Sequence, residues 1–306
     1  MKRAAPVLLA LLVLLPLIPG GYVLYVTSLV LIYVLASFGT NLLIGYTNLI
    51  SLAGATFFGV GAYGATILAN QLGLPLPVAM LLAALIAAAI GVVLAIPVLR
   101  LEEVFLAIAT LGFVMIFMEL AKQGGDLTGG ESGMPGPAAR LFGLPMGERG
   151  LYLYILAVLV ACLWMARNLS DSRFGRGFLA LKGSEIAARS LGLNAARLKL
   201  VAFGLCAFYT GLAGSMFGPL VRFVDPSVFD IMVSISFVSM VIIGGIGSVW
   251  GSVLGAVFVA GAPQVLTYVG LDNVQRSLYG VAMILSLMFL PDGLVGLLRR
   301  KRETST

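Results

Sequence analysis

The chain has 306 residues, 60% of them hydrophobic and only 10% charged, with a mean hydropathy of +1.07 and a formal net charge of +6. Soluble domains are roughly half apolar and a quarter charged, so this balance excludes one and points to a polytopic membrane protein. The sequence contains no histidine, which excludes His-dependent metal sites, His general bases and Ser-His-Asp triads. Its lysines, Lys2, Lys122, Lys182, Lys199 and Lys301, all lie outside any GxxxxGK[ST] loop, so the chain has no Walker site for ATP.

Apolar runs long enough to cross about 30 Å of hydrocarbon recur along the sequence. Residues 78–99 and 151–165 are apolar all round rather than alternating, so the spans are helices and not barrel strands. Lys2 and Arg3 precede an apolar stretch at 4–18 that has the charge pattern of a signal peptide but no A-x-A cleavage site. It reads as a retained first span. Further spans are expected at 22–42, 48–69, 77–99, 104–121, 151–166, 198–218, 231–247, 251–268 and 277–289, which makes about ten in a single all-α transmembrane domain over 1–306. Cys162 and Cys206 fall inside spans and read as small packing residues rather than a disulfide.

Orientation follows from the basic residues. With both termini cytoplasmic, Lys2, Arg3, Arg100, the seven bases of residues 167–199 and the RRKR run at 299–302 all lie inside. Lys122, Arg140, Arg149, Arg222 and Arg276 lie outside. The long insert at 167–199 is thus expected in the cytoplasm, and the Gly- and Pro-rich loop at 122–150 outside. Within the insert, Ser184 is placed to cap a short helix, Glu185-Ile186-Ala187-Ala188-Arg189-Ser190-Leu191, that Gly192 ends in the left-handed conformation. The small Ala187-Ala188 pair permits close approach to another protein, and Ile186 and Leu191 offer it apolar contact. In the outer loop, Gly129, Gly130, Ser132 and Gly133 are candidates for contact with a binding protein. A helical turn is expected near Asp225-Pro226 in the second outer loop, 219–230.

Two stretches combine glycines with small polar groups at expected membrane depth: residues 45–64 and residues 243–252. Unwound backbone is tolerated there only where it lines a cavity, so the third and eighth spans are expected to be interrupted helices. They would relate two five-span halves as an inverted repeat. Thr47, Asn48, Ser51, Gly59, Gly61 and Tyr63 in the first stretch, and Gly244, Gly245, Gly247 and Ser248 in the second, are the candidates for a translocation path. Glu119, near the outer end of its span, is expected to pair with Lys122. Trp164 and Trp250 are read as interfacial anchors.

The residues SLAGATFFGVGAY at 51–63, FLAIATLGF at 105–113, Thr128-Gly129-Gly130, Glu185-Ile186-Ala187-Ala188 with Gly192-Leu193-Asn194, and Gly244-Gly245-Ile246-Gly247-Ser248 with Gly251 occur in that order. In this the chain resembles the permeases of branched-chain amino acid ABC transporters, the LivM branch more than its LivH partner. That family usually carries a histidine near Gly54 or Ala55, where this chain reads SLAGATF. The resemblance implies an inner-membrane subunit that performs no covalent chemistry and binds no cofactor. Its implied partners are a second, LivH-like permease, two LivG- and LivF-like ATPases that hold ATP and Mg, and a periplasmic or surface solute-binding protein. No nucleic acid is implied. It also matches residues 185–192 to the EAA motif that docks on the ATPase, giving Ser184, Glu185, Ile186, Ala187, Ala188, Arg189, Leu191 and Gly192 a coupling role. Branched-chain amino acids are the solute it implies, with urea or short amides as alternatives. A self-contained secondary transporter is the rival class; it would need intramembrane carboxylates, of which Glu119 is the one candidate.

Overall fold

The computed structural model describes residues 21–99, 101, 103–141, 144–264 and 293–296. The apolar stretches expected at 4–18 and 277–289, Arg100, Arg276 and the basic run at 299–302 lie outside these residues. The described chain is built almost wholly of helices: α1 Gly21–Thr47, α2 Gly54–Asn70, α3 Leu76–Val98, α4 Glu103–Gln123, α5 Glu148–Asp171, α6 Arg173–Gly183, α7 Glu185–Ser190, α8 Ala195–Val221, α9 Ile231–Gly244 and α10 Val249–Ala256. A π-helical turn, Val257–Gly261, continues α10. Six helical segments among the described residues are long and apolar enough to cross a membrane, namely α1, α3, Phe105–Gln123 of α4, α5, α8 and the stretch Pro226–Gly244 that includes α9. The 17 residues of α2 and the run Val249–Gln264 are shorter.

The bundle is organised around α8, against which α1, α2 and α3 all pack. Sequence explains this centrality. Gly204, Gly211 and Gly214 leave α8 without side chains where Val92 and Ala87 of α3 and the backbone of Phe58 in α2 press against it, the close-packing device of membrane helices. In the gaps between helices, rings of Phe58, Phe217, Phe229 and Phe237 interlock at centroid distances of 5.4–6.1 Å. The periphery is apolar too. Leu81, Leu85, Val93 and Ile96 of α3, and Phe105, Ile108, Met115 and Ile116 of α4, are exposed, as a lipid-facing surface requires.

Consecutive long helices run antiparallel, so the connections collect at two ends. One end, here the insert end, gathers residues 172–194 and 245–248, which meet the last turns of α1 through Lys182 and Asn41, whereas the connection 48–53 leads to an α2 whose first turn bonds the first turn of α9. The other, the loop end, gathers residues 71–75, 124–147 and 222–230. At the loop end, two short ribbons form: β1 Met134–Pro135 pairs antiparallel with β4 Phe223–Val224, and β2 Arg140–Leu141 with β3 Leu144–Pro145. The turn expected near Asp225 is a 3-10 turn, Pro226–Val228, whose start is held by the Asp225 carboxylate accepting from the Ser227 amide at 2.8 Å.

Two expectations need correction. Neither α2 nor α9 is interrupted: Gly54, Gly59, Gly61 and Gly64 all lie within α2, and α9 runs unbroken to Gly244. The breaks are instead the connections at 48–53, before α2, and 245–248, after α9. Glu119 does not pair with Lys122 either; its carboxylate accepts from the Gln123 carboxamide one turn on.

Candidate functional site

The insert end builds its most distinctive element from six residues. Ser184 Oγ accepts from the Ala187 amide at 3.3 Å and so caps α7. At the other end Gly192, at φ +79°, allows the Leu193 amide to reach Ala188 O at 3.1 Å and its own amide to reach Arg189 O at 2.9 Å, a Schellman stop. Too short to be stable alone, the helix is held at both termini and by ion pairs. Glu185 pairs with Arg189 at 2.6 Å and with Lys199, near the start of α8, at 2.7 Å. The hydrogen bond from Lys199, with Arg189 adding to it, holds the Glu185 carboxyl below its ordinary range. A depressed carboxyl stabilises the fold above its unfolded value of about 4.3 and loses that contribution only as pH falls through the lower folded value. The attachment of α7 is therefore insensitive to pH near neutrality.

This arrangement sorts the residues of α7 by face. Ile186 and Leu191 are 81% and 77% exposed, the highest values among the large hydrophobic residues described. Apolar groups so placed beside a rigid polar frame mark an interaction surface. Ala188, by contrast, is fully buried. Its small size serves the seating of α7 on this chain, so the Ala187-Ala188 pair does not face outward together; only Ala187 is exposed.

Behind α7 lies a junction that sequence reading passed over. Lys182, two residues before the Ser184 cap, donates from Nζ to Gly45 O in the last turn of α1 at 2.8 Å. One turn earlier, the fully buried Asn41 donates to Ser248 O at 2.9 Å and to Ser252 Oγ at 2.8 Å, and its Oδ1 accepts from the Gly247 amide at 2.8 Å. A side chain on Gly45 would collide with Asn41 Oδ1 and the Gly247 backbone. Gly247 itself sits at φ +78°. Ser248 caps α10, accepting from the Gly251 amide at 3.2 Å. The signal for Asn41 was present in the sequence: a carboxamide within an apolar run must find partners.

The other break is closed differently. Asn48 ends α1 at φ +56°, a left-handed position that asparagine tolerates. The amides that enter α2 find hydroxyls on other helices: Leu52 N–H donates to Thr110 Oγ1 of α4 at 3.0 Å, and Ala55 N–H to Ser234 Oγ of α9 at 2.9 Å. Thr47 Oγ1 bonds back to Leu43 O at 2.6 Å, and Ser51 Oγ accepts from the Ala53 amide at 3.3 Å.

Several expected path residues lie against neighbouring segments of this chain. Gly59 faces the Phe117 ring, Gly61 abuts the backbone of Gly211, and Gly244 abuts that of Gly251, so atoms of neighbouring helices fill the space each would open. Tyr63 is buried between the rings of Phe117 and Phe229, at 6.2 and 5.8 Å. Two cavities of about 570 and 270 Å³ lie elsewhere. The larger opens at the loop end beside Tyr25, Arg140, Glu148 and Arg222, the smaller between Tyr33, Ser236, Phe237 and Gln264.

At the loop end, Gly129, Gly130 and Gly133 all adopt positive φ and fold the loop tightly. Thr128 Oγ1 anchors it to Ala121 O at 2.7 Å, and Asn70 donates to Pro135 O at 3.0 Å. Gly129 and Ser132 are exposed, as are Leu127 and Leu144, at 59% and 72%. The two leucines escaped sequence reading because single apolar residues in a polar loop carry no pattern. Among the described residues no group of three or more His, Cys, Asp or Glu side chains could hold a metal.

Comparison with known proteins completes this picture. A family model described as the permease component of branched-chain amino acid transport systems matches residues 22–287. The LivM permease proteins of the high-affinity branched-chain amino acid transport systems of Salmonella typhimurium and Escherichia coli are each 31% identical over 299 residues, covering 90% of this chain and 70% of theirs. The autoinducer 2 import permease LsrC of Salmonella typhimurium is 28% identical over 174 residues, 55% of this chain and 48% of its own. No solved structure gives a significant match. With apolar helices able to cross a membrane several times, no Walker loop of its own and a family model covering most of its length, the chain belongs to the branched-chain amino acid permease family and is a multi-pass membrane permease subunit of an ABC importer.

Proposed function

We propose that this subunit provides half of an alternating-access pathway for branched-chain amino acids and receives the force of ATP hydrolysis through α7. A LivH-like permease supplies the other half. Two LivG- and LivF-like ATPases, which hold the ATP and Mg, dock at the insert end, and a solute-binding protein docks at the loop end. The substrate class rests on the two LivM relatives, each named for high-affinity branched-chain amino acid transport. In this reading the insert end is cytoplasmic, both termini share that side, and the apolar stretches at 4–18 and 277–289 complete about ten spans.

The observation that carries the proposal is the exposure of Ile186 and Leu191 on a helix fixed at both ends. A conformational change needs contacts that differ between states, and a rigid apolar knob delivers such contacts without yielding itself. Gly129, Gly130, Ser132 and Gly133, with Leu127 and Leu144 beside them, form the surface for the binding protein. Thr47 at the end of α1 and Asn48 and Ser51 of the first break, with Gly245, Gly247 and Ser248 of the second, face the pathway when the insert end opens.

Ile186→Asp and Leu191→Asp in the assembled transporter test the reading. Both variants are expected to insert in the membrane at parental levels while losing ATPase co-purification and reducing solute uptake at least tenfold. Parental co-purification and uptake in both would sink it.

A further inference from the structure

The junction behind α7 assigns a role to a residue that neither the family match nor the coupling helix accounts for. We propose that Lys182 is a positioning residue for transport: it ties the insert to the ends of α1 and α10, so that displacement of α7 moves the membrane-embedded helices. This goes beyond the docking of α7 and rests on that docking only for the origin of the force.

The geometry is a short relay. Ser184 caps α7 and closes α6, so Lys182 shares a continuous backbone with the docking element two residues away. Phe178 and Leu181 bury the face of α6 on the bundle, and Lys182 reaches from that helix to Gly45 O. The last carbonyls of a helix have no partner in their own helix and carry the negative end of its dipole, so an ammonium is the best-matched donor for that position. Gly45 touches Gly247, and Asn41 holds the amide of Gly247, the carbonyl of Ser248 and the hydroxyl of Ser252. The end of α1 and the turn joining α9 to α10 are thus one unit, and Lys182 is where the insert grips it. The ammonium also lies 3.5 Å from where a Gly247 side chain would begin, close enough to feel any shift of that turn. Coupling between distant sites requires an element that both bias; here the element is the end of α1.

The test uses the complete transporter with its ATPases in proteoliposomes, and reads solute taken up per ATP hydrolysed. Lys182→Met keeps the aliphatic stem and removes the donor. It is expected to retain ATPase association and hydrolysis while uptake per ATP falls about tenfold. Lys182→Arg, which restores a cationic donor of sufficient reach, should recover most of the ratio. Lys182→Gln has a donor but is one atom shorter, so it should behave as Met does; if the Met variant fails to assemble, Gln takes its place. A merely structural role would lower uptake and hydrolysis together and leave their ratio at the parental value. That result, or a parental ratio in the Gln variant, overturns the proposal. The readings stay separable, because failure of α7 docking appears as retained ATPase association in Ile186→Asp, whatever Lys182 does.

Discussion

The two breaks, at 48–53 and 245–248, both mix apolar with small polar residues, yet they are held by different means. The connection at 48–53 is closed from outside itself: a hydroxyl on α4 and another on α9 receive the amides of Leu52 and Ala55. The connection at 245–248 is closed by a single residue, Asn41, which makes three hydrogen bonds to it and to the start of α10. A joint fastened to two different helices changes when either moves, whereas a joint keyed by one buried carboxamide travels as a block with the helix bearing it. The first connection is thus suited to yield, and the second to transmit.

Three substitutions break this contrast in order of size. Gly45→Val drives a side chain into Asn41 and the Gly247 backbone, with no flexible group to give way. It is expected to abolish the folded subunit, read as loss of monodisperse protein in detergent. Asn41→Leu keeps the volume but strands the Gly247 amide, so a loss of about 1–3 kcal/mol is expected, seen as a lower thermal midpoint of the solubilised subunit. Ser234→Ala removes one hydroxyl from the yielding joint and should cost about 0.6 kcal/mol, the usual worth of such a bond between membrane helices. A thermal midpoint for Ser234→Ala below that of Asn41→Leu would reverse the assignment of the two joints.

Much of the frame was legible because its causes are local. Apolar runs announce helices by length and composition, and Ser184 and Gly192 announce the ends of α7 by their own chemistry. The role of a membrane glycine is not local in this sense. Gly61 and Gly247 are the same residue in similarly greasy surroundings, but one is small because the Gly211 backbone lies against it and the other because its φ is +78°. Only the position of a second segment, far off in sequence, distinguishes these cases from the lining of a path. The same distance hid Lys182, which among seven basic residues of the insert read as one more positive charge. Its neighbours in sequence carry no sign of Gly45, 137 positions away.

The ribbon between Met134–Pro135 and Phe223–Val224 has a consequence for how the subunit is made. Its strands lie on either side of α5, the insert and α8, so β1 is synthesised long before its partner exists. At the roughly 5–20 residues per second of translation, the loop waits several seconds with its strand edge open while α5 to α8 are threaded into the bilayer. Closure of two strands so far apart is entropically late as well. Pairing of Met134 with Val224 therefore reports that the central helices are in place, and protease accessibility of the 124–147 loop should serve as a clock for completion of the bundle.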